Sequence, residues 1–159
     1  QGDKIDDGWL GASIYQQHNG DDGIYAPPPL KLLAEQKTGS FVRQQILGGV
    51  ISAAHDIADG GLAVAIAEMA MQSGFGANIA VPKTGNLHGW AFGEDQARFV
   101  VTTANGQTLI AAAKEAGIEI TKLGMVSDRS ELKFGDNDTI SLADLSAVFE
   151  GCIPVLMVG

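Results

Sequence analysis

Residues Ala54-His55-Asp56-Ile57-Ala58-Asp59-Gly60-Gly61-Leu62 place an imidazole, two carboxylates and a glycine pair between an apolar run and a helix-forming segment, Ala63-Val64-Ala65-Ile66-Ala67-Glu68-Met69-Ala70. That order reads as a strand, a polar turn and a buried helix. Backbone N–H groups at such a helix start have no partner within the helix and carry partial positive charge, so they favour a phosphate or a carboxylate. His55, Asp56, Asp59, Gly60 and Gly61 therefore form a candidate phosphate- or substrate-binding edge, with the amides after Asp59 facing the ligand. A structural reading stands beside it. Asp59 suits a helix N-cap, and glycines at a strand-to-helix turn can serve only to permit positive φ. The two aspartates also repel a phosphate unless a metal or a basic residue from elsewhere intervenes.

The elements that must hold this edge can be read on either side of it. Residues 50–57 are apolar on both faces, which predicts a strand interior to a sheet. Residues 61 to about 73 are apolar almost all round, which predicts a helix sandwiched between layers. Glu68 is the exception on that helix, so it must be hydrogen-bonded, lie at an exposed edge, or be functional. Upstream, residues 1–8 read as an irregular lead-in, 9–15 as a short apolar anchor and 18–23 as a loop. Pro27-Pro28-Pro29 sets an extended approach to a helix in two pieces. The first piece covers 30–36, and the second starts from a fresh N-cap at Thr38 or Ser40 and stops at Gly48-Gly49.

Downstream, residues 77–81 read as a strand and 83–90 as a loop. His88 in that loop is a surface or packing residue, because no second His or Cys stands at metal-binding spacing. Residues 98–103 are rich in β-branched and aromatic types and read as a strand. Asn105 can cap a helix through Ala116 that puts Leu109, Ala112, Ala113 and Ala116 on one face, with Gly117 ending it. Ile118, Ile120 and Leu123 alternate with polar residues and predict a half-exposed strand extending to 126. Gly135-Asp136-Asn137-Asp138 is a hairpin turn between 132–134 and 139–142, and it lacks the glycine and the closing glutamate of a calcium loop. A final helix from Ser141 or Ala143 to Glu150 and an apolar tail over 153–158 that packs down complete the chain. Strands and helices intermixed without a strict βαβ rhythm imply an α+β fold, a mixed sheet covered by helices, as a single domain over 1–159.

Composition excludes several classes. With a net charge of −9, a pI near 4.5 and no basic cluster, neither a nucleic-acid backbone nor an anionic membrane is a fitting partner. No stretch approaches the ~20 apolar residues of a membrane span. The start of the chain is acidic, unlike a signal peptide, so a cytoplasmic location is expected. The single cysteine, Cys152, suits a reducing compartment and reads as a small buried side chain. Position 1 is Gln, so the chain reads as an excised piece of a longer protein. No Walker A pattern, Rossmann fingerprint, Ser-His-Asp or Cys-His arrangement is legible, and no catalytic or metal-ligating residue is expected.

The wording of 54–70 closely resembles the second-half signature of the phosphoribosylformylglycinamidine synthase family. Further segments resemble the same family in the same order: Trp9-Leu10-Gly11-Ala12-Ser13-Ile14-Tyr15, Pro27-Pro28-Pro29-Leu30, and Phe92-Gly93-Glu94-Asp95-Gln96-Ala97-Arg98-Phe99-Val100-Val101. The resemblance covers residues 9–103 and implies the C-terminal domain of the second half of that enzyme, of the AIR synthase-related type. It implies that the complete enzyme uses ATP and Mg2+ to activate a formamide oxygen, after which ammonia displaces phosphate. A glutamine amidotransferase subunit and a small bridging subunit are the implied partners beside the remaining synthase domains. The family's catalytic histidine and metal carboxylates lie in nucleotide-binding domains without counterpart here, so this chain alone is expected to have no turnover.

The resemblance also adds Glu94, Asp95, Gln96 and Arg98 to the candidate ligand-contacting residues. The first-half copy of the domain contacts substrate through Glu-Ser-Gln, whereas Asp95 here replaces the serine and adds charge. The structural alternative is an ion pair from Arg98 to Glu94 or Asp95, with the second-half site vestigial, holding a structural nucleotide or an interface. Rival readings are a sister enzyme, such as aminoimidazole ribonucleotide synthetase, selenophosphate synthetase or thiamine monophosphate kinase, and a free-standing binding or scaffold domain without chemistry. The sister enzymes word their Gly-Gly turn differently. An exposed apolar patch would favour the enzyme piece, and a fully polar surface the scaffold.

Overall fold

A computed structural model describes residues 8–20, 26–136 and 138–157, with 152–157 described by backbone alone. The chain runs α1 (Ile14–His18), α2 (Leu32–Leu47), β1 (Ala53–Asp56), α3 (Gly61–Ser73), β2 (Gly76–Ile79), α4 (Leu87–Phe92), β3 (Phe99–Thr102), α5 (Gly106–Glu115), β4 (Gly124–Ser127), β5 (Glu131–Phe134), β6 (Asp138–Ser141) and α6 (Leu142–Met157). It divides into two compact units, residues 1–65 with 84–122 and residues 66–83 with 123–159. Expectations for the lead-in over 1–7, the loop residues 21–23, Asn137, the Cys152 side chain and the packing of the 153–158 tail lie outside the described residues.

In the first unit, local capping starts three helices. Ser13 Oγ accepts from the Gln16 amide, Asn86 Oδ1 from the Gly89 amide and Asn105 Oδ1 from the Thr108 amide, at 3.2, 3.0 and 3.2 Å. Each bond satisfies one of the amides that a helix start leaves without a partner. The Asn105 helix is as the sequence predicts, with Leu109 and Ala113 buried and Gly117 at its end. The Asn86 helix, α4, corrects the expected loop over 83–90: one short helical turn suffices because it buries Trp90. The anchor over 9–15 contains the start of α1 and a fully buried Ser13.

The core of this unit is Phe41 and Val42 from α2, Ile51, and Leu109 and Ala113 from α5, with Phe99, Val101, Ile118 and Ile120 packed against it. This explains why α2 is one helix and not two pieces. Gly39 inside it costs about 1 kcal/mol relative to alanine, whereas burying Phe41 and Val42 in the next turn contributes about 1.5–3 kcal/mol each. Ile118 and Ile120 also correct an expectation. Their alternation reflects packing on this core, and residues 118–123 form no strand, the next one starting at Gly124.

β1 pairs antiparallel with β3, with Ala53 opposite Thr102, His55 opposite Val100 and Asp56 opposite Phe99. Bonds from the Ser52 amide to the Thr102 carbonyl and from the Ile57 amide to the Arg98 carbonyl, both 2.9 Å, extend the ladder at each end. The predicted interior strand over 50–57 is therefore wrong: β1 belongs to a two-stranded sheet, and Ala53, Ala54 and Asp56 are exposed. The apolar weight of the segment sits at Ile51 and Ile57, which are buried just outside the paired residues.

In the second unit a sheet of order β4-β2-β5-β6 combines antiparallel β2–β4 and β5–β6 pairs with a parallel β2–β5 pair. Its mixed character, with α6 packed on β6, is the α+β arrangement the sequence implies. The β5–β6 hairpin surrounds the predicted turn, and Leu132 opposite Ile140 is almost fully buried. Ser141 Oγ accepts from the Asp144 amide at 3.0 Å and so opens α6. That helix continues to Met157, beyond the expected end at Glu150. α3 begins in the first unit and ends in the second, and buries one stripe: Leu62, Ala65, Ile66 and Ala70. Val64 and Gln72 are exposed and Glu68 is half-buried, so the helix is amphipathic and not enclosed on all sides.

Candidate functional site

The predicted edge follows β1 directly. His55 Nδ1 donates to the Asp56 carbonyl at 2.6 Å and lies 3.9 Å from Asp56 Oδ1, while the Asp56 carboxylate is largely exposed. The chain then turns through Gly60 and Gly61 at φ +80° and +72°. Only glycine adopts two such values in succession at little cost. A Cβ on Gly61 would also lie 2.6 Å from the Phe92 carbonyl carbon, so backbone meets backbone here. With Gly61 as the first helical residue of α3, the capping position falls to Gly60, and Asp59 is exposed beside it.

Two of the amides expected to face a ligand are engaged within the chain. Gly60 N–H donates to Glu94 Oε1 at 2.9 Å, and Gly61 N–H to the Ala58 carbonyl at 3.0 Å. The same Glu94 oxygen accepts from the Ile14 amide at 2.9 Å. The Glu94 amide donates to the Trp9 carbonyl at 3.0 Å, and Asp95 Oδ2 accepts both the Trp9 amide and Arg98 Nη1, each at 2.9 Å. The Arg98 ion pair is thus to Asp95. Gly93 permits this approach: a Cβ there would lie 2.4 Å from the Gly89 oxygen and 2.8 Å from the Trp9 nitrogen. Ala97 takes φ +63° and Gln96 is exposed at the turn between Asp95 and Arg98.

The structure therefore brings the two candidate segments together at the Glu94–Gly60 bond. Sequence reasoning missed the third participant, Trp9 to Ile14, because nothing local to that stretch signals a partner some eighty residues away. It also missed the contact between Tyr15 and His88. Their rings stack at 5.3 Å, the Tyr15 hydroxyl and His88 Nδ1 are 2.7 Å apart, and Phe92 stacks on Tyr15 at 4.7 Å. His88 is a packing residue, in keeping with the sequence reading. Beside Asp56 an open groove of about 300 Å³ is lined by Val42, Arg43, Ile46 and Phe99 among others. Among the described residues no group of three or more His, Cys, Asp or Glu side chains could hold a metal ion, and no helix is long and apolar enough to cross a membrane.

Residues 4–137 match the family model described as AIR synthase related protein, C-terminal domain. Over 153 residues the chain is 44% identical to the phosphoribosylformylglycinamidine synthase subunit PurL of Methylocella silvestris, covering 95% of this chain and 21% of that protein. It spans about one fifth of the length of the curated relatives it matches. Among solved structures, T. maritima PurL complexed with FGAR superposes with a TM-score of 0.68 at 16% identity, covering 80% of this chain and 23% of that one. T. maritima PurL complexed with ATP superposes with a TM-score of 0.59 at 17% identity, covering 70% and 21%.

Proposed function

This chain belongs to the AIR synthase related protein C-terminal domain family, and we propose that it is the last domain, in the second half, of a phosphoribosylformylglycinamidine synthase. The reaction is the ATP-dependent conversion of formylglycinamide ribonucleotide to formylglycinamidine ribonucleotide in purine biosynthesis, with ammonia derived from glutamine. One observation carries the reading: 44% identity to a PurL subunit across 95% of the chain.

The described residues do not by themselves fit a magnesium–nucleotide site. The Gly60 and Gly61 amides are bonded internally, and no carboxylate cluster offers a metal ligand set. We assign ATP and Mg2+ to domains outside this chain, and the chain alone is proposed to have no turnover. What its own residues do is structural: β1 and the Gly-Gly turn present His55, Asp56 and Asp59 along one edge. We assign ligand contact in the assembled enzyme to that edge and to Gln96, which stands next to the internally bonded Glu94, Asp95 and Arg98. We assign a glutamine amidotransferase subunit and a small bridging subunit as its partners, beside the remaining domains of the synthase. A cytoplasmic location fits this chemistry.

The test is the synthase that carries these residues, purified with and without them and assayed for ATP- and ammonia-dependent amidine formation by mass spectrometry. The intact enzyme converts the ribonucleotide and the truncated one does not; no conversion by the intact enzyme removes the reading. In the same enzyme, Asp59→Asn lowers kcat/KM roughly tenfold or more with unchanged melting if Asp59 touches ligand. Unchanged activity would leave the turn with a structural role alone.

A further inference from the structure

We propose that Glu94 is a positioning residue: its carboxylate is the internal anion of the Gly60-Gly61 turn and ties that turn to the start of α1. The inference rests on the reading that the His55–Gly61 edge meets ligand in the synthase, and it assigns Glu94 a role other than substrate contact.

Glu94 Oε1 lies 2.9 Å from two amides belonging to segments far apart in sequence, Ile14 and Gly60. A charged acceptor makes such bonds about twice as strong as a neutral one. The carboxylate thus takes the place at the Gly60 amide where a ligand phosphate would otherwise sit. Glu94 itself cannot drift, because its own amide is bonded to the Trp9 carbonyl and its neighbour Asp95 holds the Trp9 amide. Gly61 and Gly93 leave no room for a Cβ against Phe92 and Trp9, so the three segments touch backbone to backbone. Both bonds fall on the one oxygen, Oε1, so swinging the carboxylate away from the turn would break them together. The direction in which Asp59 presents its side chain is therefore set by Glu94 through the Gly60 amide next to it, whereas Asp56 is held by the β1–β3 ladder.

The experiment compares E94A and E94Q in the complete synthase, and records the 15N–1H spectrum of the same substitutions in this chain. Truncation to alanine removes both acceptor bonds, so kcat/KM falls roughly 100-fold as the edge shifts. Glutamine keeps an acceptor oxygen of the same reach and recovers at least about tenfold of that loss. The Ile14 and Gly60 amide resonances both move upfield in E94A and stay bonded in E94Q. Equal impairment of E94Q and E94A with unmoved Gly60 resonance would overturn the proposal, since it is the signature of a charge that contacts ligand. Where E94A does not fold, E94Q decides alone: an unbonded Gly60 amide in that variant overturns it. A wild-type synthase without amidine formation would remove the functional reading, while the spectra would still decide the place of the Glu94 carboxylate.

Discussion

Helices α3 and α5 both begin beside glycine, yet they are started by opposite means. α5 is capped from within its own first turn, by Asn105 Oδ1 on the Thr108 amide. At α3 the Gly60 amide is met by Glu94 Oε1, thirty-four residues away, and the turn is wedged against Phe92 and Gly93. A local cap is a property of four consecutive residues, so it is independent of what surrounds it. A remote one exists only when the rest of the unit has formed, so the α3 start reports the tertiary fold and can transmit its shifts to Asp59.

The difference can be broken at its strongest point first. Gly61→Ala forces a side chain into φ +72° and 2.6 Å from the Phe92 backbone, which should cost about 4 kcal/mol in urea unfolding. A loss under about 1 kcal/mol would mean that the turn is not wedged. For α5 the larger loss lies in packing and not in the cap. Leu109→Ala empties a site only 2% exposed and should cost about 3 kcal/mol by the same measurement. Asn105→Ala removes the local cap alone and should cost about 1 kcal/mol, while Asn105→Asp, which still accepts the bond, should change little. If Asn105→Ala proved as costly as Gly61→Ala, the two helix starts would not differ in kind.

Legibility followed the same division. The Asn105 cap, the Leu109–Ala113 face, Gly117 and the hairpin around residue 135 were all readable, because each depends on neighbours within a turn. The candidate segments were also readable, since their residue types stand together in the chain. Their connection was not: neither Glu94 nor Gly60 carries a local sign of the other. The apolar run over 50–57 misled for a related reason. Hydrophobicity averaged over a window hid that Ile51 and Ile57 hold the buried area, while Ala53 and Ala54 pair with β3 in an exposed two-stranded sheet. In α2 the two possible caps, Thr38 and Ser40, suggested a break, but burial of Phe41 and Val42 outweighs even the penalty of about 1 kcal/mol that Gly39 adds.

By itself the sequence determined the family, through long ordered stretches such as 54–70 and 92–101 and the residue types that a turn or a cap requires. It also determined the α+β class, the acidic charge and most helix positions, because periodicity and capping act over a few residues. Tertiary structure alone decided that Glu94 and Asp95 are bonded to Trp9, Ile14 and Gly60, that β1 lies exposed, and that α2 does not break. Those outcomes depend on which distant backbones come within hydrogen-bonding reach and on where apolar area is buried, and both are set only when the chain has closed on itself.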